Sequence, residues 1–228
     1  QKVMDFCKEA NRAGLQIELH AIGDKAFDQA CRAIKAALDD CPREDHRHGI
    51  IHDCLPTPEG IEVCRDYHIQ MPMQSAFIGW KQEPDDYLEH ILGHDRLEKL
   101  NPIKTFRDND IMVSFGSDAP CTTPDPIAWM DRAVNNDNAG QAVSVQDALR
   151  MCTYNGAWAA FDEQERGSLE AGKIADMAVL SENPYTVPKD KIKDIRVERL
   201  YLSGKSYESC RKSILPMMLR GLTSRNKA

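Results

Sequence analysis

The stretch Ile111-Met-Val-Ser-Phe-Gly-Ser-Asp-Ala-Pro120 carries the strongest indication of the fold. Its first half is an apolar run of Ile, Val and Phe, which is typical of a strand buried on both faces. The run stops at Gly116, and Asp118 follows where the strand would end. In α/β barrels, catalytic groups collect at the carboxyl ends of the strands. The alternative is that Asp118 only caps the next turn, since Asp after Gly-Ser is common turn chemistry.

Length, charge and cysteine usage indicate a soluble globular enzyme or binding protein. The 228 residues carry a net charge of −7 at pH 7, so neither nucleic acid nor an anionic membrane is expected as a partner. No apolar run approaches the roughly 18 residues of a membrane span. The eight cysteines contain no Cys-x-x-Cys pair, which argues against a zinc ribbon or a redox dithiol. A reducing, cytoplasmic location is therefore predicted.

Strand and helix patterns alternate along the first two thirds of the chain. Strands are predicted over Gln16–His20, His48–His52, Ile69–Ser75 and Ile111–Phe115, and each is followed by a helical pattern. This alternation indicates a parallel sheet. A closed (β/α)8 barrel needs twice as many units over roughly 250 residues. Residues 1–163 are therefore predicted to form the C-terminal half of such a barrel, in a chain that opens on Gln1 rather than Met and is expected to be part of a longer protein.

A capping-box pattern from Ser144 to Asp147 predicts a last long helix over Val145–Ala160. The amino-acid composition changes after this helix. Glycines and Asn-Pro then punctuate short apolar runs, which is the composition of strands and turns. Residues 164–208 are predicted to form a small β unit. Residues 209–228 are predicted to contain a closing helix, over 209–220, and a polar tail.

Three of the predicted strands end in potential metal ligands: His20, His52 and Asp118. Because parallel strands bring their carboxyl ends to one edge of the sheet, the three side chains are expected to converge. Two imidazoles and a carboxylate suit a divalent transition metal such as zinc. Such a metal lowers the pKa of a bound water toward ~7, and a carboxylate beside it can pass the proton to a leaving group. Against this, a single histidine is more often a hydrogen-bonded structural residue.

Other polar and aromatic residues are weaker candidates. Solvated roles are predicted for the histidines that follow no strand or lie in polar surroundings, namely His46, His48, His68 and His90. His94 is expected to be a polar residue at a helix start. Trp80 and Tyr87 either line a substrate pocket or pack a long loop, and packing is the favoured interpretation.

Several motifs together resemble a known family. Glu18-Leu-His20-Ala-Ile-Gly-Asp24-Lys-Ala26 is similar to the HAIGD.A motif of the amidohydrolase superfamily, in the branch called amidohydrolase family 3. Arg47-His-Gly-Ile-Ile-His52 is similar to the RHRIEH strand of that branch, and Gly116-Ser-Asp-Ala-Pro120 to its GSD.P strand. Gly167-Ser-Leu-Glu-Ala-Gly-Lys-Ile-Ala-Asp176 matches a further landmark. The resemblance extends over nearly the whole chain.

This resemblance implies a metal-dependent hydrolase of amide or other C–N bonds, such as an N-substituted formamide deformylase. It also implies a (β/α)8 TIM-type barrel with a small β-sandwich domain, to which the unit at 164–208 would belong. The matching histidines of the family bind metal, and the matching aspartate binds metal or water and shuttles the proton. The implied metal ligands are His20, His52 and Asp118, with Asp118 also catalytic, one or two divalent ions as cofactor and a small amide-type substrate.

The chain departs from the family pattern in two ways. Where the family strand has Arg-Ile-Glu before its histidine, this chain has Gly49, Ile50 and Ile51, so an ion pair beside the metal is missing. The first-strand His-x-His pair and the fourth-strand bridging ligand have no counterpart either, and the chain alone is expected to be inactive. Four strands would also leave two sheet edges open, which predicts a homo-oligomer or a missing N-terminal half.

Two other functions stay open. The missing acid before His52 makes a non-catalytic scaffold or regulator on the same fold conceivable. Metal-dependent phosphoester hydrolysis on the same barrel is the third hypothesis. Bound metal and turnover of formamides, dipeptides and aryl phosphates would separate the three.

Overall fold

Four parallel strands lie side by side in chain order at the centre of the molecule. The computed structural model describes residues 1–80 and 83–207. The strands are β1 (Glu18–Ala21), β2 (Gly49–His52), β3 (Met71–Met73) and β4 (Val113–Phe115). β1 pairs with β2 and β3 pairs with β4, both in parallel. A parallel bridge between Gly49 and Gln70 joins the two pairs, so the spatial order is β1-β2-β3-β4.

Helices connect and cover these strands. They are α1 (Lys2–Arg12), α2 (Asp24–Asp40), α3 (Pro58–Asp66), α4 (Asp85–Leu92), α5 (His94–Leu97), α6 (Ile103–Asp108), α7 (Pro126–Val134), α8 (Val145–Cys152) and α9 (Tyr154–Ala159). Short 3₁₀ turns occur at Ser75–Phe77, Ala139–Gln141 and Lys189–Asp194. The predicted mixed α/β class is confirmed.

Side-chain caps explain where several helices begin. Thr57 accepts a hydrogen bond from the backbone N–H of Gly60 at 3.1 Å at the start of α3, and Asp125 accepts one from Ile127 at 3.1 Å at the start of α7. A proline follows each cap, where its missing N–H costs no hydrogen bond. Ser144 caps α8 through the N–H of Asp147. These signals were visible in the sequence.

One face of the sheet is buried under the helices. Ile50, Met71, Met73 and Val113 on this face are almost fully buried. They pack in one core with large apolar side chains of α2, α6 and α7, which are Phe27, Ile34, Ile103, Phe106 and Met130. Burying a side chain of this size contributes about 1.5–3 kcal/mol. The core therefore lies between sheet and helices, and not on the other face of the sheet.

The opposite face of the sheet is more open and more polar. Glu18 and His20 of β1 are exposed on it, and Pro72 is half-buried. Gln70, just before β3, is buried there and donates a hydrogen bond from its amide to Glu18 at 3.1 Å. This face carries the residues that converge at the candidate site.

A second, antiparallel sheet follows the helical part of the chain. Its strands are β5 (Met177–Leu180), β6 (Val197–Leu202) and β7 (Lys205–Ser206). β6 pairs with both of the others, and the turn between β6 and β7 contains Gly204 with φ +74°, a backbone angle that glycine adopts without strain. These three strands lie within residues 164–208, and the β-sandwich to which they would belong stays a prediction. Within the described residues, no helix is long and apolar enough to cross a membrane.

The predicted helix Val145–Ala160 is wrong in one respect, because it is broken at Thr153. The backbone of Thr153 is not helical, with φ −126° and ψ −88°. Its hydroxyl donates to the carbonyl of Leu149 at 2.8 Å, a local bond that competes with helix geometry. The break lets Asn155 donate its amide to the carbonyl of Val113 in β4 at 2.7 Å. The closing helix predicted over 209–220 lies outside the described residues.

Candidate functional site

Two of the three predicted ligands, His20 and His52, come together at the carboxyl ends of β1 and β2. Their ring centroids are 4.4 Å apart, and the ring planes are nearly perpendicular. In the strand register His20 pairs with Ile51 and Ala21 with His52, so the two histidines are diagonal neighbours, and His52 leaves the regular strand conformation with φ +79°. His20 is exposed, whereas His52 is only 6% exposed. One imidazole of the pair is thus enclosed by protein, and the other is open to solvent.

The buried member of the pair is held in its neutral form. Burial lowers the pKa of His52, and the neighbouring His20 lowers this pKa further. The Gln74 side chain and the Asp118 carboxylate act in the opposite direction but do not outweigh burial. Neutral imidazole is the form that binds metals, because protonation removes the lone pair. The electrostatics of the site therefore favour a ligand role for His52.

Asp118 lies at the same edge of the sheet, after β4, but outside the histidine pair. It is exposed, and its carboxylate is near enough to raise the pKa of His52. The turn that carries it is ordered by a hydrogen bond from the N–H of Cys121 to the Asp118 carbonyl at 2.9 Å. Across residues 1–80 and 83–207, no group of three or more His, Cys, Asp or Glu side chains is placed to hold a metal ion. A joint three-ligand site stays a prediction.

The backbone around the site is unusual. His52, Asp53 and Asp118 have φ values of +79°, +51° and +51°, in the left-handed region that side chains other than glycine seldom adopt. Each such residue costs of the order of 1 kcal/mol or more and persists where surrounding structure enforces it. The ends of β2 and β4 at the candidate site thus share this conformation, which also occurs elsewhere, for example at Asn101 and Ser203.

Asp53 is a buried residue that the sequence analysis did not single out. It is fully buried, and among the described residues neither carboxylate oxygen has a hydrogen-bond partner. Burial raises the pKa of Asp53 well above its usual range, and the nearby Cys31 and Glu18 add to the effect. Its position in the sequence could have identified Asp53 as a candidate site residue, since it directly follows a histidine at a strand end.

Glu18 was also passed over, although it stands two residues before His20. It points to the same face of the sheet and lies directly over Gly49, where an added Cβ would be 2.3 Å from its Oε2 atom. The residue as a whole is exposed, but its carboxyl group is packed against the sheet face and partly shielded from water, which raises the pKa of Glu18 to about 7; the hydrogen bond from Gln70 opposes this rise. Glycine at position 49, the first departure from the family motif, thus makes room for a carboxyl group from the adjacent strand.

His46 and His48 are not solvated, so their predicted role is wrong. Both are buried, and their ring centroids are 4.5 Å apart. Nδ1 of His48 accepts a hydrogen bond from the N–H of Ile17 at 3.1 Å, and Nε2 donates to Asn11 Oδ1 at 3.0 Å. These partners belong to α1 and to the residue just before β1. They are far from His48 in the sequence, so no local pattern predicts the contacts. His68, His90 and His94 are exposed, as predicted.

The buried imidazole of His48 predicts loss of stability in acid. Burial, together with the nearby His46 and Arg43, lowers the pKa of His48 to about 3. Its pKa in the unfolded chain is about 6.5, so the unfolded state binds more protons between these values and stability falls as pH drops below about 6.5. As the pH falls below about 6.5, we expect the difference in the free energy of unfolding between wild type and His48→Asn to shrink by up to about 1.4 kcal/mol per pH unit.

This prediction is checked by urea unfolding of both proteins with chelator present at pH 7.5, 6.5 and 5.5. Taking the difference cancels the opposite pH dependence of Glu18, whose raised pKa removes stability as pH increases. Parallel pH profiles of the two proteins would contradict a buried, neutral His48.

Comparison with known proteins decides the family. The model of the amidohydrolase family matches residues 1–207. The chain belongs to the amidohydrolase family. The chain is 28% identical over 217 residues to an N-substituted formamide deformylase of Arthrobacter pascens, which covers 89% of this chain and 38% of that relative. The chain thus spans well under half the length of that relative.

Solved structures of amidohydrolase type share the fold. An uncharacterised metal-dependent hydrolase from Pyrococcus furiosus superposes with a TM-score of 0.64 at 26% identity, over 75% of this chain and 34% of that one. An adenosine deaminase from Xanthomonas campestris with bound zinc superposes with a TM-score of 0.64 at 14% identity, over 99% of this chain and 53% of that one. The second similarity concerns the fold alone.

Proposed function

We propose that this chain provides part of the active site of a metal-dependent hydrolase that cleaves amide or other non-peptide C–N bonds. The pair of imidazoles formed by His20 and His52 at neighbouring strand ends carries the proposal. Membership of the amidohydrolase family and the similarity to a formamide deformylase support it. An N-substituted formamide or a related small amide is the proposed substrate.

The proposed architecture is the C-terminal half of a (β/α)8 barrel. Residues 1–163 would provide four of its eight strand–helix units, residues 164–208 would belong to a small β-sandwich, and residues 209–228 would form a closing segment. Four parallel strands in chain order, with helices on one face, support this architecture.

The two imidazoles fit a divalent metal, and zinc is the ion we propose. Nitrogen ligands and the neutral state of His52 suit zinc, but two ligands leave its coordination incomplete. His20 and His52 would hold the ion, with Asp118 as the proposed third ligand or as a contact to its water. When bound, such an ion polarises the carbonyl group and lowers the pKa of water. Full coordination then requires further ligands from another polypeptide segment or another copy, so we expect this chain alone to be inactive.

Asp118 is the proposed proton shuttle. Water attacks the carbonyl carbon of the amide, and Asp118 accepts the proton that the water loses. It then donates this proton to the nitrogen as the C–N bond breaks, which leaves a carboxylic acid and an amine. Its exposure and its electrostatic contact with His52 support this role.

Metal binding tests the proposal directly. We expect the His52→Ala variant to bind zinc at least roughly 100-fold more weakly than wild type, because a direct ligand matters more than the indirect ones whose loss costs 10–100-fold. His94→Ala is the matched control, since His94 is an exposed histidine flanked by Glu89 and Glu98. Affinity is measured by competition with a chromogenic chelator on the natural gene product.

Turnover separates the hydrolase from the alternatives. The natural gene product is assayed with formamides, dipeptides and aryl phosphates. Hydrolysis of formamides supports the proposal, and hydrolysis of aryl phosphates alone would replace it. A second candidate, a non-catalytic scaffold, is favoured by the absence of an acid at Ile51. If that preparation contains no stoichiometric metal and shows no turnover, this second function is established.

The sheet edges support a proposal about assembly. Within the described residues, β1 and β4 each pair with a strand on one side only, and an unpaired edge invites another strand. We propose that the chain either forms a homo-oligomer or is completed by an N-terminal half, in a cytoplasmic protein without nucleic acid or membrane partners. A monomer of the 228 residues with a cooperative thermal transition in analytical ultracentrifugation and calorimetry would contradict it.

A further inference from the structure

A cavity of about 620 Å³ opens beside the candidate site. One wall is formed by Ala76 and Trp80, which follow β3, and another by the loop from Ala119 to Pro124, which follows β4. Ala128 of α7 closes the back. Its volume lies within the range of small-molecule pockets, which is about 300–1,000 Å³.

The cavity lies close to the histidine pair and to Asp118. The ring of Phe77 lies 6.1 Å from that of His52, and the ring of Trp80 lies 4.9 Å from that of Phe77 in an edge-to-face arrangement. On the other wall, Ala119 directly follows Asp118. A substrate whose amide group lies between His52 and Asp118 would therefore extend its substituent into the cavity.

The lining has a uniform chemical character. The described residues that line the cavity are aromatic, aliphatic or carry only a hydroxyl or thiol, and none of them is charged. An ionised group in the cavity would gain no counter-charge from these described residues. A flat apolar group, in contrast, gains contact with the Trp80 ring, and aromatic pairs contribute beyond buried area alone.

Hydrogen bonds hold the loop wall in place. The hydroxyl of Thr122 donates to the carbonyl of Ser117. The indole N–H of Trp129 donates to the carbonyl of Thr123 at 3.3 Å, and the hydroxyl of Ser75 donates to the carbonyl of Trp129 at 2.9 Å. Both walls are thus tied to α7, so that little ordering is required when a ligand binds.

We propose that this cavity binds the uncharged, planar substituent of the amide substrate and that Trp80 determines this specificity. The inference rests on the proposed hydrolase function and extends it to a substrate class, the formamides of neutral aromatic amines. It also revises the role of Trp80, for which packing of the loop was the favoured interpretation.

The test compares three ligands on the natural gene product. Formanilide carries a neutral phenyl group, 4-formamidobenzoate carries the same ring with a charge, and N-methylformamide carries no ring. Binding is followed by ligand-observed NMR titration, which does not require turnover. Formanilide is expected to bind about tenfold more tightly than either of the others, a ratio equivalent to about 1.4 kcal/mol.

Variants locate the binding site. Trp80→Ala is expected to weaken formanilide binding about tenfold and to leave N-methylformamide within about twofold. Cys121→Tyr, which places a large side chain from the exposed loop wall into the cavity, is expected to block formanilide. The matched control is Tyr87→Ala, since Tyr87 is an exposed aromatic of α4 that does not line the cavity.

The outcomes distinguish this inference from the proposed function. Selective formanilide binding that Trp80→Ala weakens and Cys121→Tyr blocks supports the inference, with or without turnover. Equal affinities for the three ligands, no binding by wild type, or full binding by both variants would overturn it. Formamide turnover together with any of those results would keep the hydrolase and reject the cavity as its substituent site.

Discussion

Turnover of formamides is expected to fall by about 10²–10⁴-fold in the Asp118→Asn variant, because positioned proton transfer contributes rate factors of this size. Asparagine keeps the shape of the side chain but cannot accept and return a proton at neutral pH. Asp118 is exposed and precedes the Cys121 turn, which is held through the Asp118 backbone carbonyl. The fold should therefore survive, with an unchanged melting temperature.

Asp125→Asn is the matched control for this experiment. Asp125 lies seven residues further along the same loop, and its side chain caps α7 by accepting hydrogen bonds from Ile127 and Ala128. Asparagine caps helices about as well as aspartate, so this variant should keep both stability and activity. The kcat/KM values of both variants are measured on the natural gene product, and wild-type activity of Asp118→Asn would refute the proton-shuttle role.

The second large effect concerns stability and the buried ion pair between Arg47 and Glu163. The guanidinium donates two hydrogen bonds to the carboxylate, at 2.8 and 2.9 Å, and the side chains are 8% and 10% exposed. The Arg47 guanidinium also stacks on the rings of Trp158 and Phe161, at 4.6 and 4.2 Å. The pair therefore ties the start of β2 to the segment that follows α9.

Glu163→Gln is expected to reduce the free energy of unfolding by about 3 kcal/mol, since removing one partner leaves a buried charge without compensation. Asp45, which is exposed and accepts a bond from Arg47 at 2.7 Å, keeps the expected loss at the lower end of the usual 3–5 kcal/mol. The free energy is measured by urea unfolding at pH 7.

An exposed pair with the same geometry provides the control. Arg12 donates two hydrogen bonds to Asp40, at 2.7 and 2.6 Å, but its side chain is 58% exposed. Solvent screening limits such pairs to about 1 kcal/mol or less, so Asp40→Asn should have a small effect. Equal losses in the two variants would show that burial does not determine the contribution of the Arg47 pair.

Asp118 and the Arg47–Glu163 pair differ in how far the sequence could predict them. Asp118 was predicted because its signal is local: an apolar run that ends at Gly-Ser-Asp places a carboxylate at a strand end. Glu163 and Arg47 are 116 residues apart, and no local pattern connects them. Their pairing exists because α9 returns to the amino end of β2.

The histidines show the same division. The sequence predicted that His20 and His52 would converge, since both end strands of one parallel sheet, and the structure brings them within contact. It predicted a solvated role for His48, which begins the second strand pattern, and this prediction is wrong. His48 is a structural residue because Asn11 and the N–H of Ile17 satisfy its ring nitrogens, and both partners come from other elements.

The sequence by itself determined the α/β class, the presence of four parallel strands, the capped start of α8 and the edge of the sheet where polar residues collect. These features follow from hydrophobic periodicity and cap chemistry, which act over a few residues. Only the tertiary structure decided that Asp53 is buried without a hydrogen-bond partner among the described residues, that Glu18 lies over Gly49 and that Trp80 lines a cavity near the candidate site. Such features depend on the burial and distance of side chains from separate elements, and those quantities are set when the sheet, helices and loops pack together.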